Sequence, residues 1–399
     1  MESYIVDWLS LILRWLHVIT GIAWIGASFY FIWLDNSLED PPRWKKDKGI
    51  KGDLWAVHGG GIYEVAKYHG APEAMPEHLH WFKWEAYSTW ITGILLLTVV
   101  YYFGAEAYLI DPRVAELTPL QAIGLGVASL IGSWVAYSAL CTSPLAKNGW
   151  LLGVVLLITG TALAWGLTEI FSGRGAYIHF GAIIGTLMVG NVAMVIMPGQ
   201  RKLVAALEAG TEPNPAWGAK AKLRSTHNTY LTLPLLFIMI SNHYPMTYGH
   251  SLNWAVLMAI VVITALSRQY FILRHARVNR PVIIGAAVAA TALLAVLIAP
   301  RPAQLETPDL AQEALAPRAH SIVRERCASC HAEAPTDDVF TVAPGGVYLE
   351  TVEQIIQWAP QIKARSVDSH DMPFMNKTGM TDAERAIVGQ WVASGAPAT

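Results

Sequence analysis

The sequence predicts an all-α fold in two parts: a polytopic transmembrane helical bundle of about eight spans, followed by a small all-α domain. Three observations lead to this prediction. Of the 399 residues, 53% are hydrophobic and only 15% are charged, whereas a soluble protein usually carries about 25% charge. Eight apolar stretches approach the length of about 20 residues that crosses a bilayer as a helix. Residues 318–399 are polar and carry helix signals of their own.

The apolar stretches place the transmembrane domain at residues 1–300. They comprise residues 8–34, 81–103, 121–140, 149–167, 176–197, 226–241, 252–266 and 281–299. The third and fourth contain no charged side chain. The sixth is short and contains Pro234, which predicts a broken or tilted helix.

Basic residues between the spans predict the orientation of the bundle. Lysine and arginine are frequent at 43–67, 147, 201–224 and 274–280, whereas the opposite loops carry only Arg113 and Arg174. By the positive-inside rule the first set is cytoplasmic. We therefore expect a multi-pass protein of the bacterial inner membrane, in contact with membrane lipid, with its N-terminus and its last domain on the periplasmic side. No basic run suggests binding of nucleic acid.

The polar tail, which follows a Pro/Ala-rich linker at residues 301–317, contains Cys327-Ala328-Ser329-Cys330-His331. Two thiols spaced by two residues and followed by a histidine form the attachment signature of a c-type haem. Haem c would be bound covalently through Cys327 and Cys330, with His331 as an axial ligand of the iron. The alternative is a zinc site, for which the motif lacks a convincing fourth ligand.

The second axial ligand is predicted to be Met372. The proline that follows it fixes the loop, and a thioether opposite histidine raises the potential of the haem. Its rivals are His370, Met375 and Met380. A helix over residues 313–326 leads into the haem motif, and a capping box at Thr381 opens a last helix. This order is that of a class I cytochrome c domain, which we place at residues 318–399.

Two histidines lie within predicted spans. His17 in the first span shares a helical stripe with Arg14 and Gly21, and His179 in the fifth shares one with Thr186. Ionisable groups at this depth are costly and usually face the bundle interior. Two interpretations stay open: structural histidines with hydrogen-bond partners, or a pair that clamps a b-type haem between the first and fifth spans.

Polar side chains also cluster on the predicted cytoplasmic side. The glycines of His58-Gly59-Gly60-Gly61, before the second span, either let the backbone approach a planar ligand or form a tight turn. Further polar residues at the entrances of the second and sixth spans are His80, Lys83, Glu85, His227 and Asn228. The opposite face carries a comparable group, Asn242 and His243.

Several long motifs resemble the membrane-bound urate oxidases of the PuuD type. They are LRWLHVITGIAWIGASFYFIWLD, HGGGIYEV, LHWFKWEAY, HNTYLTLPLLF and SNHYP. The resemblance covers essentially the whole chain, including the fusion of an eight-span domain to a cytochrome c. It implies hydroxylation of urate to 5-hydroxyisourate, with electrons passed to haem c and on to the respiratory chain, without peroxide. A downstream cytochrome or terminal oxidase would accept these electrons.

The resemblance also directs the choice of site residues. Urate is a planar anion, so its site needs cationic or N–H donors and an aromatic or backbone wall. The nominated residues are His58, Lys83, Glu85, His227 and Asn228, with His80 in support. Two other functions stay open: a quinol-oxidising membrane cytochrome subunit, and a transport or sensing bundle whose cytochrome reports redox state. Glycine-rich nucleotide motifs are absent, which argues against flavin or NAD.

Overall fold

The computed structural model describes residues 2–299, 312–337, 340, 342–368, 370 and 372–399, so the predicted linker up to residue 311 lies outside the described residues. The helices of the bundle are α1 (Glu2–Ser37), α2 (Trp84–Leu97), α3 (Pro119–Thr142), α4 (Gly149–Thr168), α5 (Gly173–Gly190), α6 (Met197–Glu208), α7 (Pro215–Ser241), α8 (Asn253–His275) and α9 (Pro281–Leu297). A π-helical segment, Thr98–Tyr102, prolongs α2, and another, Asn191–Ile196, joins α5 to α6. A helix therefore covers each predicted span.

Within the described residues, five helices are long and apolar enough to cross a membrane: Tyr4–Ser37, Pro119–Thr142, Gly149–Thr168, Gly173–Glu208 and Asn253–His275. Helix α9 is apolar but shorter. Helix α7 is less apolar because its first half carries Lys220, Lys222 and Arg224. These helices are consistent with a membrane protein, and the count of eight spans stays a prediction.

The bundle is built around α5. This helix packs against α2, α3, α4 and α7, and 56% of the span that contains it is buried, against 6% for α1. Helix α1 is peripheral and packs mainly against α2. Pro234 does not break α7, which runs for 27 residues with the proline inside it. Packing of α5 and α8 along α7 explains the tolerance, because neighbouring helices support an internal proline in such bundles.

A β-hairpin between α1 and α2 corrects the prediction that the fold is all-α. Strands β1 (Ile50–His58) and β2 (Gly61–Tyr68) pair antiparallel, with His58 opposite Gly61. Gly59 and Gly60 form the turn at φ of 55° and 82°. Both values lie in the left-handed region that a two-residue hairpin turn requires and that glycine adopts freely. The glycines after His58 therefore make a tight turn, which is one of the two predicted alternatives.

The tail forms a separate small core. Its main helices are α10 (Gln312–Cys327), α11 (Val352–Gln357) and α12 (Asp382–Ala393). The predicted helix before the haem motif and the capping box at Thr381 are both confirmed. Leu315 and Ala316, which precede the predicted boundary at 318, are buried in this core. Shorter helical segments of the chain are Arg43–Lys46, Ala105–Tyr108, Pro144–Lys147, Pro245–Tyr248, Pro344–Gly346, Ala359–Ile362, Lys363–Asp368 and Phe374–Asn376.

Candidate functional site

A cavity of about 610 Å³ lies between α1, α2, α5 and α7. Most of its lining is apolar. A Cβ atom added at Gly21 or Gly185, both in the lining, would meet no atom within 4 Å, so these glycines face open space. Along α7 the lining extends from Ser225 to Asn242, about 25 Å at the rise of an α-helix. Gln200, Ser225 and Asn228 line one end, and Arg14, Asn242 and His243 line the other.

A buried polar cluster stands behind Asn228 at the first of these ends. Arg224 Nη1 donates to Asn191 Oδ1 at 3.2 Å, and the Arg224 guanidinium lies 4.7 Å from the ring centroid of Tyr137. Asn191 Nδ2 donates to Tyr137 Oη at 2.9 Å and to Asn228 Oδ1 at 2.8 Å. His227 Nδ1 lies 2.8 Å from Tyr137 Oη. We call these five residues the Arg224 cluster.

The cluster has one consistent direction of hydrogen bonds. Guanidinium nitrogen can only donate, so the Asn191 atom that faces Arg224 is its oxygen, and the amide nitrogen faces Tyr137. The Tyr137 oxygen accepts that bond and gives its own hydrogen to His227 Nδ1. In this arrangement His227 Nδ1 is an acceptor, which corresponds to the tautomer with its proton on Nε2. Such an arrangement can position a polar ligand at Asn228 and hold a proton at His227.

The structure distributes the nominated urate residues over three places. His227 and Asn228 belong to the Arg224 cluster, and Asn228 also lines the cavity. Lys83 and Glu85 follow Phe82, another lining residue, where α2 begins. His58 is exposed at the hairpin turn. His80 Nε2 lies 3.8 Å from Glu85 Oε1, while Glu85 Oε2 is buried without a hydrogen-bond partner.

Sequence reasoning missed the centre of the cluster. Arg224 counted only as one of several cytoplasmic charges, and Tyr137 lies in a span without any charge. The available signal was helical spacing, because Arg224 and Asn228 are four residues apart and share a face of α7. Asn191 opens the π-helical segment after α5, and segments of this kind are frequent at functional sites.

His17 lines the cavity, as its predicted stripe with Arg14 and Gly21 indicates. Its Nδ1 lies 3.0 Å from the carbonyl oxygen of Thr89 and 3.1 Å from Thr92 Oγ1. A proton on Nδ1 satisfies the carbonyl and leaves Nε2 as the free acceptor. A hydrogen bond from Nδ1 to a backbone carbonyl, with Nε2 free, is typical of histidines that ligate a metal through Nε2.

His179 does not share this environment. Its Nδ1 lies 2.9 Å from the Gly175 carbonyl oxygen, and its Nε2 lies 3.3 Å from Tyr102 Oη. Phe171 stacks on the ring at 4.7 Å, and a Cβ at Gly126 would come within 2.6 Å of Nε2. His179 is fully buried and is not part of the cavity lining. The residues around it therefore do not fit a b-type haem clamped between His17 and His179.

The haem motif of the tail closes α10. Cys330 and His331 follow in the first turn after the helix, and His331 Nδ1 donates to the Val347 carbonyl at 3.0 Å. That bond orients the ring and leaves Nε2 available for an iron atom. Among the described residues, no group of three His, Cys, Asp or Glu side chains is placed to hold a metal ion. The two neighbouring thiols and the free Nε2 of His331 are the groups that a covalently attached haem would use.

The candidates for the second axial ligand differ in their surroundings. Met372 is half-buried, and Arg385 Nη1 donates to its carbonyl at 2.8 Å. Met380 is buried within the apolar core of the tail, so its thioether is committed to packing. His370 is exposed. Met375 is half-buried and lies three residues after Met372, so it remains a rival.

Aromatic contacts join the cavity to the tail. Tyr101, a lining residue, accepts a hydrogen bond of 3.0 Å from Arg174 Nε. The Arg174 guanidinium lies 4.7 Å from the ring centroid of Tyr108, and the Tyr108 ring meets Phe374 edge-on at 5.7 Å. Phe374 stands two residues after Met372. The end of the cavity that Arg14 lines is therefore connected by side-chain contacts to the loop that carries the predicted haem ligand.

Comparison with known families assigns the bundle. Residues 3–299 match the model of the urate oxidase N-terminal family. The chain belongs to this family. Comparison with curated proteins and with solved structures finds no match. Membership in the urate oxidase N-terminal family suggests an oxidoreductase acting on urate, and the matched segment ends before the tail.

Proposed function

We propose that this chain is a membrane-bound urate oxidase of the PuuD type that passes its electrons to a haem c held by the tail. The observation that carries the proposal is the family match over residues 3–299, the part of the chain that encloses the cavity. The reaction is the hydroxylation of urate to 5-hydroxyisourate. Water supplies the oxygen, and two electrons and two protons leave the substrate. No peroxide forms because oxygen is not the electron acceptor.

Urate would bind at the end of the cavity that Gln200, Ser225 and Asn228 line. Asn228 offers the ligand a side chain whose orientation is held by Asn191 and by the Met188 carbonyl. Phe31 and Phe82, whose rings meet edge-on at 4.8 Å, supply an aromatic wall. A proton released there can be taken up by the unpartnered Oε2 of Glu85, or by His227 Nδ1 through the Tyr137 hydroxyl, which passes its own hydrogen on as it accepts the new one. His58, at the exposed hairpin turn, contributes least to this arrangement.

Electrons would leave at the outer end. When bound to Cys327, Cys330, His331 and Met372, the haem accepts electrons one at a time. The contacts from Tyr101 through Arg174 and Tyr108 to Phe374 lie between the cavity and that site. A periplasmic cytochrome or a terminal oxidase of the inner membrane would then accept the electrons from the tail.

A relay inside the cavity would shorten the path of about 25 Å. His17 faces the cavity with a free Nε2 and is the residue that would hold a b-type haem there, without His179. The full chain with Cys327→Ala and Cys330→Ala tests this idea. It should keep a non-covalent haem absorbance that His17→Ala removes and His179→Ala does not. A colourless double variant that still binds urate would end the idea.

A quinol is the second candidate substrate, because the cavity is largely apolar and one of its walls is the peripheral α1. Membranes containing the full chain, kept without oxygen and given ferricyanide as final acceptor, separate the two. Urate should reduce haem c and yield one 5-hydroxyisourate for each two electrons. The Cys327→Ala, Cys330→Ala variant should transfer none. Reduction by a quinol but not by urate would replace the proposal with this alternative.

A further inference from the structure

Arg268, on α8, is an arginine without a partner inside the bundle. Its side chain is buried, with 3% of the residue exposed, and both Nε and Nη2 are buried without a hydrogen-bond partner. Within the continuously described residues 2–299, no carboxylate forms an ion pair with it. Breaking or omitting the partner of a buried charge is strongly destabilising. A guanidinium kept in this state therefore indicates a place prepared for an anion.

The two unpartnered nitrogens define the shape of that anion. Nε and Nη2 lie on one edge of the planar guanidinium and direct two parallel N–H bonds to the same side. This fork matches two neighbouring acceptors in one plane. Phe29 of α1 covers the face of the group, with 4.1 Å between Cζ and the ring centroid. Stacking on Phe29 fixes the plane of the fork and leaves its edge free.

Other polar groups surround the fork. Tyr230 of α7 interacts electrostatically with Arg268 and donates its hydroxyl hydrogen to Gln269 Oε1, which leaves the Gln269 amide nitrogen as a donor. His275 follows Arg268 by seven residues, so both stand on the same face of α8, about 10 Å apart. His275 Nδ1 is also buried without a partner. One face of α8 thus carries two side chains with buried nitrogens that lack a hydrogen-bond partner.

The Nε/Nη2 fork of Arg268 lies at the same depth in the bundle as the Asn228 end of the cavity. Phe29 directly follows Ser28 on α1, and Tyr230 stands two residues after Asn228 on α7. Both Ser28 and Asn228 line the cavity. Arg268 is not among the lining residues, so it stands at that depth behind the lining, on α8, beside Phe29 of α1 and Tyr230 of α7. The other buried arginine at this level, Arg224, already donates to Asn191.

We propose that Arg268 is the counter-charge that binds the substrate anion through its Nε/Nη2 fork, with urate reaching from the Asn228 end of the cavity past the lining residue Ser28 to the fork. This inference rests on the proposed function, which supplies urate as the anion. A deprotonated ring nitrogen of urate and the adjacent carbonyl oxygen are two acceptors in one plane. Arg268 acts in binding and takes no part in the transfer of electrons or protons.

The test measures urate-dependent reduction of haem c by the full chain, with KM and kcat determined separately. Arg268→Lys keeps the charge but loses the fork and should raise KM about 10-fold, and Arg268→Met should raise it about 100-fold, both with a small change in kcat. Arg274→Met is the matched control, because Arg274 is exposed on the same helix. It should leave KM unchanged.

Thermal unfolding with and without urate completes the test and remains readable if a variant is inactive. Urate should raise the melting temperature of the wild type and of Arg274→Met but not of Arg268→Met. Without urate, Arg268→Met should melt no lower than the wild type, since it removes an unpaired buried charge. A lower melting temperature, or an unchanged KM for Arg268→Lys, would overturn the inference. If urate stabilises neither wild type nor control, the proposed function fails instead.

Discussion

Arg224 and Arg268 are both buried in the bundle, with 4% and 3% of the residue exposed, but their surroundings differ in kind. Arg224 donates to the oxygen of Asn191 and packs on the ring of Tyr137. Arg268 stacks on the ring of Phe29, and its Nε and Nη2 atoms have no hydrogen-bond partner. The first guanidinium belongs to a completed network, whereas the second has an open edge. An incomplete environment of this kind is the better indicator of ligand binding.

The tail contains a third arginine, Arg326, whose ion pair can be compared with the surroundings of Arg224 and Arg268. Arg326 Nη2 lies 2.9 Å from Glu384 Oε1, and Arg326 Nη1 donates to the Thr378 carbonyl at 2.6 Å. Its charge is therefore neutralised by a carboxylate within the chain. Of these three arginines, only Arg268 has guanidinium nitrogens that are buried without a hydrogen-bond partner.

The largest expected effect is the loss of Arg224. Arg224→Met should lower kcat for urate at least about 100-fold, because it removes the cation that orients Asn191 and, through it, Asn228 and Tyr137. The haem c spectrum should stay intact. Arg201→Met, an exposed arginine on α6, serves as control and should keep full activity. If Arg224→Met raised only KM, the roles of the two arginines would be reversed.

Removal of Asn191 should have the next largest effect, on stability. Asn191→Leu deprives Arg224 of its acceptor and leaves Tyr137 and Asn228 without their donor. We expect a loss of about 3 kcal/mol in the free energy of unfolding, measured in detergent against the wild type. Arg268→Met should show no such loss. Equal melting temperatures for wild type and Asn191→Leu would show that the Arg224 cluster is not a completed network.

A smaller effect is expected at Tyr137. Tyr137→Phe keeps the ring under Arg224 but removes the hydroxyl between Asn191 and His227. The reaction should slow about 10-fold, the lower range for assistance in proton transfer, with an altered dependence of kcat on pH. Tyr102→Phe provides a matched control, because the Tyr102 hydroxyl contacts His179 instead. An unchanged pH profile would separate His227 from the chemistry.

The smallest effect concerns the ion pair of the tail. Burial alone would raise the pKa of Glu384, but the Arg326 guanidinium and the Thr381 backbone hold it below its usual value of 4.5. A carboxyl with a lowered folded-state pKa stabilises the tail above pH 4.5, and this contribution is lost as the pH falls below that value. Glu384→Gln should unfold at lower temperature than the wild type at pH 7. This difference should shrink below pH 4.5, and a constant difference would contradict the assignment.

The positions of the helices were predictable because hydropathy reports where lipid can solvate a segment, and each predicted span coincides with a helix. Helix ends were less predictable. The seventh span was predicted to end at residue 266, where charged residues begin, but α8 continues to His275 and carries Arg268 with it. A charge ends an apolar stretch without ending a helix, so the residue with the clearest ligand-binding geometry fell outside the predicted spans.

The candidate site was predictable only in part. His227 and Asn228 were nominated because they belong to a polar cluster before the sixth span, and the structure places both in the Arg224 cluster. Arg224, Asn191 and Tyr137 come from three different helices, and their meeting depends on packing that a single sequence does not encode locally. For the glycines after His58, local sequence was informative but allowed two structures. Local sequence allowed either a ligand contact or a turn, and pairing of β1 with β2 decides for the turn.

The length of α1 has a consequence for the environment of the enzyme. Its 36 residues extend for about 54 Å, well beyond a hydrocarbon layer of about 30 Å. A helix of this length adjusts its tilt to the thickness of the bilayer. Because α1 forms one wall of the cavity and packs mainly against α2, a change of tilt alters the width of the cavity. We therefore expect turnover to depend on the acyl-chain length of the host lipid.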